Sequence, residues 1–162
     1  MLLPDVPSFN LTSKDIREGE PVHVRHTVDG SGVSPHLSWH GAPEETASYA
    51  VSCFDPDAPT PAGFWHWSVL NLRVSKTSVP RDFGNIDFPL PLGVVRARND
   101  AGTLTYAGAA PPKGDHPHRY IFAVHALSTV LDAEDGIPCT PAALKMIFVT
   151  LARATITVTY QR

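Results

Sequence analysis

Ser48-Tyr-Ala-Val-Ser-Cys-Phe54 runs directly into Asp55-Pro-Asp-Ala-Pro59. Alternation along the first segment places Tyr49, Val51 and Cys53 on one face and Ala50, Ser52 and Phe54 on the other. Both faces are largely apolar, the pattern of a strand covered on both sides at the centre of a sheet. Pro56 and Pro59 then remove backbone donors and stiffen the chain, so the side chains of Asp55 and Asp57 are held in fixed directions. On this segment alone, an Asx-type turn leaving the strand and a ligand-facing loop fit equally well.

Three more segments read as strands. Trp65–Leu72 places Trp65, Trp67 and Val69 on one side and His66, Ser68 and Leu70 on the other. Arg119–Leu127 is nearly all apolar and β-prone, and Ala154–Tyr160 turns Ile156, Val158 and Tyr160 inward and its threonines outward. One segment predicts a helix, with Leu144, Ile147, Phe148 and Leu151 at i, i+3, i+4 and i+7, Thr140 as N-cap and Pro141 at the first helical position. Sixteen prolines and eleven glycines leave little room for other long helices. The region from Arg73 to His118 is broken by proline throughout, and long irregular loops of this kind tend to be functional. The expectation is a mainly β protein with minor α content, antiparallel, with one helix near the C-terminus.

Composition narrows the classes of function. A chain of 162 residues that is 43% hydrophobic and 18% charged suits one domain spanning 1–162, with a core that needs no metal or disulfide staples. A net charge of -3 without any Lys/Arg run argues against nucleic acid. No apolar stretch approaches the roughly 20 residues of a membrane span. The N-terminal stretch from Met1 to Glu20 lacks the basic start and apolar run of a secretory signal. Cys53 and Cys139 read as small buried apolar residues, and the expected location is cytoplasmic.

The polar residues that could carry chemistry are few. His66 follows Asp57 at the start of the next strand, flanked by Trp65 and Trp67; alone it reads as a hydrogen-bonded core histidine, beside the Asp loop as part of a site. His118 and Arg119 open a buried strand after Ala109-Ala-Pro-Pro-Lys-Gly-Asp-His-Pro117, and Arg119 is a natural bidentate partner for an aspartate. Asp55-Pro-Asp-x-Pro, then His66, then His118-Arg119 after a Pro-Pro-Lys-Gly loop resembles the phosphatidylethanolamine-binding protein family, also called Raf kinase inhibitor-like. Phe9–Ser13, Ser34–Trp39, Arg98–Gly102 and His118–Tyr120 fall in the order expected of its bacterial branch, so the resemblance covers nearly the whole chain.

The resemblance implies a large antiparallel sheet packed on a smaller one and a pre-formed anion pocket at one end of the sheet. Asp55, Asp57, His66, Pro111, Pro112, His118 and Tyr120 would line it, and Arg119 would brace the aspartate loop as structural support. Imidazoles and backbone amides would receive a phosphate, carboxylate or phosphoethanolamine-like group, with the aspartates orienting the histidines or accepting from an ammonium. It further implies a binding protein with no catalytic residues, no cofactor and no metal, a protein kinase or protease as regulatory target, and a homodimer as in bacterial relatives. The family usually has glycine at the positions of Ala110 and His116, so a methyl narrows the mouth and a titratable group sits at the rim. The alternative is a metal-dependent hydrolase using the Asp/His cluster, which contains ligand types zinc accepts. Serine-hydrolase and phosphate-loop signatures are missing from the sequence.

Overall fold

The computed structural model describes residues 4–162; Met1–Leu3, the start of the stretch read above as lacking a signal pattern, lie outside the described residues. In chain order the strands are β1 (Asn10–Thr12), β2 (Leu37–His40), β3 (Ser48–Asp55), β4 (Phe64–Arg73), β5 (Ser78–Val79), β6 (Val95–Arg96), β7 (His118–Leu127) and β8 (Thr150–Tyr160), with helix α1 (Cys139–Ile147) between the last two. Five of them form the large sheet in the order β6-β4-β3-β7-β8, and β1-β2-β5 form a small one. Every pairing within these sheets is antiparallel. The fold is therefore mainly β, with a single α-helix near the C-terminus among the described residues.

β3 sits at the centre because both of its faces must be covered. Tyr49, Val51 and Cys53 enter the layer between the two sheets, with Leu37, Trp39 and Val79 from the small sheet and Val69, Phe122 and Val124 from the large one. Trp39 and Tyr49 meet edge to face at 5.4 Å across that layer. Ala50 belongs to the opposite layer, with Leu70, Leu127 and the α1 residues Cys139, Ala142 and Met146. β8 follows its alternation, with Ile156 and Val158 buried and Thr155 exposed.

Two expectations are corrected. The stripe Leu144, Ile147, Phe148, Leu151 is not the buried face of the helix: Leu144 is 50% exposed and Phe148 87% exposed. Leu151 already belongs to β8, so the helix ends before the stripe is complete. The sheet is met instead by Cys139, Ala142 and Met146, whose small size at the first two positions lets the helix sit close. Thr140 is not the N-cap; Pro138 holds that position without a side-chain hydrogen bond, and Thr140 and Pro141 lie inside the first turn.

The second correction concerns β4. Cys53 pairs with Trp67 and Phe54 with Trp65, so His66 is an extra residue opposite a single step of β3. This bulge breaks the two-residue period. Trp65 leaves the Trp67 face, packs on the helix-side layer and meets Phe54 in a tilted contact, with ring centroids 4.7 Å apart. His66 is turned instead against Tyr120, with ring centroids 5.2 Å apart. A second register shift occurs near Asn71, whose φ is +62°, and it returns Leu72 to the layer between the sheets. The Asn71 amide exchanges two hydrogen bonds with the backbone of Leu131, at 2.9 and 2.8 Å, which holds this strained residue.

Candidate functional site

The chain leaves β3 at Asp55 and returns into β4 through a loop closed by Gly63. A side chain at Gly63 would collide with the Asp55 carbonyl at 2.7 Å, and its φ of +69° favours glycine as well. Asp55 accepts the Asp57 backbone N–H at 2.8 Å through Oδ1, which is the Asx turn expected of Asp-Pro-Asp. Its other oxygen, Oδ2, lies 2.9 Å from Nδ1 of His118. Both residues are buried, at 3% and 1% exposure, so the pair sits within the protein rather than on it.

Asp57 faces the other way. It accepts from the backbone N–H of Arg119 at 2.9 Å and from the guanidinium at 2.9 and 2.8 Å. These hydrogen bonds hold its carboxyl down at about 2. Arg119 is exposed, so this is a surface clasp between the loop after β3 and the start of β7, not a buried ion pair.

His118 is held on both nitrogens, because Nε2 lies 3.2 Å from Oδ2 of Asp115. Burial opposes the charged imidazolium, yet the hydrogen bonds to Asp55 and Asp115 outweigh it and raise the pKa. Asp115 in turn is lowered, chiefly by its bond to His118. Asp115 was absent from the residues read out of the sequence. Its signal is weak: a carboxylate three residues before the histidine, after Gly114, whose φ is +83°.

His66 is in a different state. Burial lowers its pKa, so the ring is neutral, and its Nδ1–H donates to the Ala107 carbonyl at 2.8 Å. It therefore offers a lone pair at Nε2, where the resemblance implied a donor to an anion. Asn99 braces this arrangement, donating to the carbonyls of His66 at 3.2 Å and Thr105 at 2.8 Å. Arg98–Gly102 carried the resemblance, but no role was read for Asn99. The Tyr120 hydroxyl is buried without a hydrogen-bond partner among the described residues, and burial followed by the charge of Asp55 raises its pKa. Of the loop prolines, Pro111 is buried and Pro112 exposed.

The structure thus brings Asp55, His118 and Asp115 into one hydrogen-bonded chain and sets His66 against Tyr120. Asp57 is turned outward onto Arg119. The surface hollows of about 440 Å³ along Asp132–Ile137 and about 290 Å³ between Leu72, Lys76, Phe83 and Phe88 are lined by other residues.

A family model described as phosphatidylethanolamine-binding protein matches residues 12–161. The chain belongs to the phosphatidylethanolamine-binding protein family. The Escherichia coli K12 protein UPF0098 YbhB is 43% identical over 155 residues, covering 92% of this chain and 98% of that protein. UPF0098 YbcL of the same organism is 47% identical over 128 residues, 75% of this chain and 70% of its own length. The crystal structure of E. coli YbcL, described as a new member of the mammalian family, superposes with a TM-score of 0.92 at 40% identity, covering 96% of this chain and 99% of that one. The Chlamydia trachomatis homologue CT736 superposes at 0.82 with 29% identity over 96% of this chain and 98% of its own. The two packed antiparallel sheets implied by the phosphatidylethanolamine-binding resemblance are those observed. No helix among the described residues is long and apolar enough to cross a membrane.

Proposed function

We propose that this protein binds a small phosphate- or carboxylate-bearing molecule, such as a phospholipid head group, at the end of the large sheet marked by His118 and Tyr120. The observation that carries this reading is the Tyr120 hydroxyl, buried beside His66 with no hydrogen-bond partner among the described residues. A buried donor left unpaired costs about 1–3 kcal/mol, which a ligand oxygen would recover. His118 supplies the positive charge, and the ligand oxygen takes the place that the Asp115 carboxylate now holds on Nε2. That carboxylate is 36% exposed and is held on its other oxygen by the His116 backbone N–H at 2.8 Å, so it must turn away from Nε2 for the ligand to enter.

In this reading the protein acts in the cytoplasm by holding a ligand and presenting the surrounding loops to a kinase or protease, without turning over a substrate. Both cysteines are free and buried. Burial raises the Cys53 thiol and pushes Cys139 up to about 12, which disfavours either as a nucleophile.

A thermal-shift titration of wild type and His118→Ala with phosphate, acetate and phosphoethanolamine tests the proposal. A site filled at a hundred times its Kd adds about 2.7 kcal/mol. Stabilisation of wild type alone is the expected result. An equal shift in His118→Ala, or none in wild type, overturns it.

A further inference from the structure

The rim of the same site carries a second kind of chemistry, one that shares His118 with the anion reading and does not depend on it. Asp115, His116 and His118 each offer a ligand atom, and the three atoms lie within 4.8 Å of one another. Both imidazoles are anchored through Nδ1. That nitrogen of His118 lies 2.9 Å from Asp55 Oδ2, and that of His116 lies 3.0 Å from the Pro117 carbonyl. A carbonyl can only accept, so His116 donates through Nδ1, and Nε2 is the nitrogen left to meet a metal ion. In both rings Nε2 then points at Asp115, 3.2 Å from one carboxylate oxygen for His118 and 3.9 Å from the other for His116.

This arrangement matches what a metal-binding histidine needs. The outer nitrogen is fixed by a carboxylate or carbonyl, which sets the tautomer and aims the inner nitrogen at the ion. Zinc bonds of about 2.0–2.2 Å to nitrogen and oxygen in tetrahedral geometry put ligand atoms roughly 3.4 Å apart. The Asp115–His118 separation is already there. His116 is exposed, so its ring can close the remaining distance at little cost in packing. Two carboxylates, Asp55 and Asp115, also bracket one imidazole, which favours an incoming dication.

We propose that Asp115, His116 and His118 form a three-ligand site for a divalent transition-metal ion of the zinc type, with Asp55 positioning His118. Two imidazoles and one carboxylate suit zinc, nickel or copper better than calcium or magnesium, which prefer oxygen. On binding, the ion replaces the proton on His118 Nε2, while Asp55 keeps the one on Nδ1. The fourth coordination position stays open to water or an anion.

Calorimetric titration of the full chain with Zn2+ alone, in a buffer free of phosphate, tests this. Wild type is expected to bind one Zn2+ per chain. His116→Ala and Asp115→Asn should each weaken that binding at least tenfold, while His40→Ala, which removes an exposed histidine elsewhere, leaves it unchanged. Both diagnostic side chains lie at the surface, so the variants keep the fold. No binding by wild type overturns the proposal, as does equal binding by wild type and His116→Ala. Asp115→Asn separates this site from the anion reading, because it removes a metal ligand and frees His118 for phosphate. Tighter phosphate binding with lost zinc binding supports both; lost zinc binding without any phosphate effect in wild type leaves the metal site standing alone.

Discussion

Nδ1 of His118 lies 2.9 Å from Oδ2 of Asp55, although 63 residues separate them in the chain. The antiparallel pairing of β3 with β7 brings the end of one strand beside the start of the other, and Phe54 opposite Ile121 sets the register. The contact is buried, so removing one partner takes from the other its nearest counter-charge in a place that water reaches poorly.

Asp55→Ala should lower stability by about 3 kcal/mol in urea denaturation, because the His118 imidazolium keeps only Asp115. The double variant Asp55→Ala with His118→Ala should recover part of that loss. Additive losses would mean that the pair is not coupled.

Arg119 and Asp57 form a clasp that water reaches, and its effect is correspondingly small. Arg119→Ala is expected to cost 1 kcal/mol or less, on the order of a surface pair. The Asp57 carboxyl should then return from about 2 toward 3.8 in an NMR titration. A carboxyl that stays at about 2 would assign the shift to the backbone instead.

Acid should weaken the fold well before the carboxylates titrate. Burial holds the His125 pKa down at about 4, with Arg153 opposite it adding to the effect. The unfolded chain takes up a proton that the folded one refuses, so this stability is present above the ordinary value of 6.5 and lost as pH falls from there to 4. The full effect is about 3 kcal/mol. Chemical denaturation of wild type and His125→Phe between pH 4 and 7 should show a steeper fall in wild type. Parallel profiles would rule His125 out as a source.

The helix face can be checked with two substitutions. Met146→Ala should cost about 2–5 kcal/mol by opening a cavity against the sheet, whereas Phe148→Gln should stay within about 0.5 kcal/mol. The reverse ranking in thermal unfolding would restore the periodic stripe as the buried face.

Much of this was legible in the chain itself. Alternation with apolar residues on both faces marked β3 as central, because only a strand covered on both sides can bury such a pattern. Asp55-Pro-Asp left an Asx turn and a ligand-facing loop equally open, and the structure shows the turn, with the Asp57 N–H on Asp55. β8 displayed its buried face because its other face meets water. Other features depend on residues far apart in sequence. The bulge that turns His66 toward Tyr120 and Trp65 away from Trp67 arises from the register of β4 against β3, which alternation within one strand does not encode. Likewise, Leu144 of α1 and Phe148 just past its end are exposed because the sheet lies against the helix's other face and the chain turns into β8 before the apolar stripe can close. Asp115, by contrast, is close in sequence, three residues before His118, and meets it through the turn that its own N–H closes on the Pro112 carbonyl, which strand alternation does not reveal. Local periodicity determined the four long strands β3, β4, β7 and β8; the packing of one strand, loop or helix on another decided the short strands and which side chains meet.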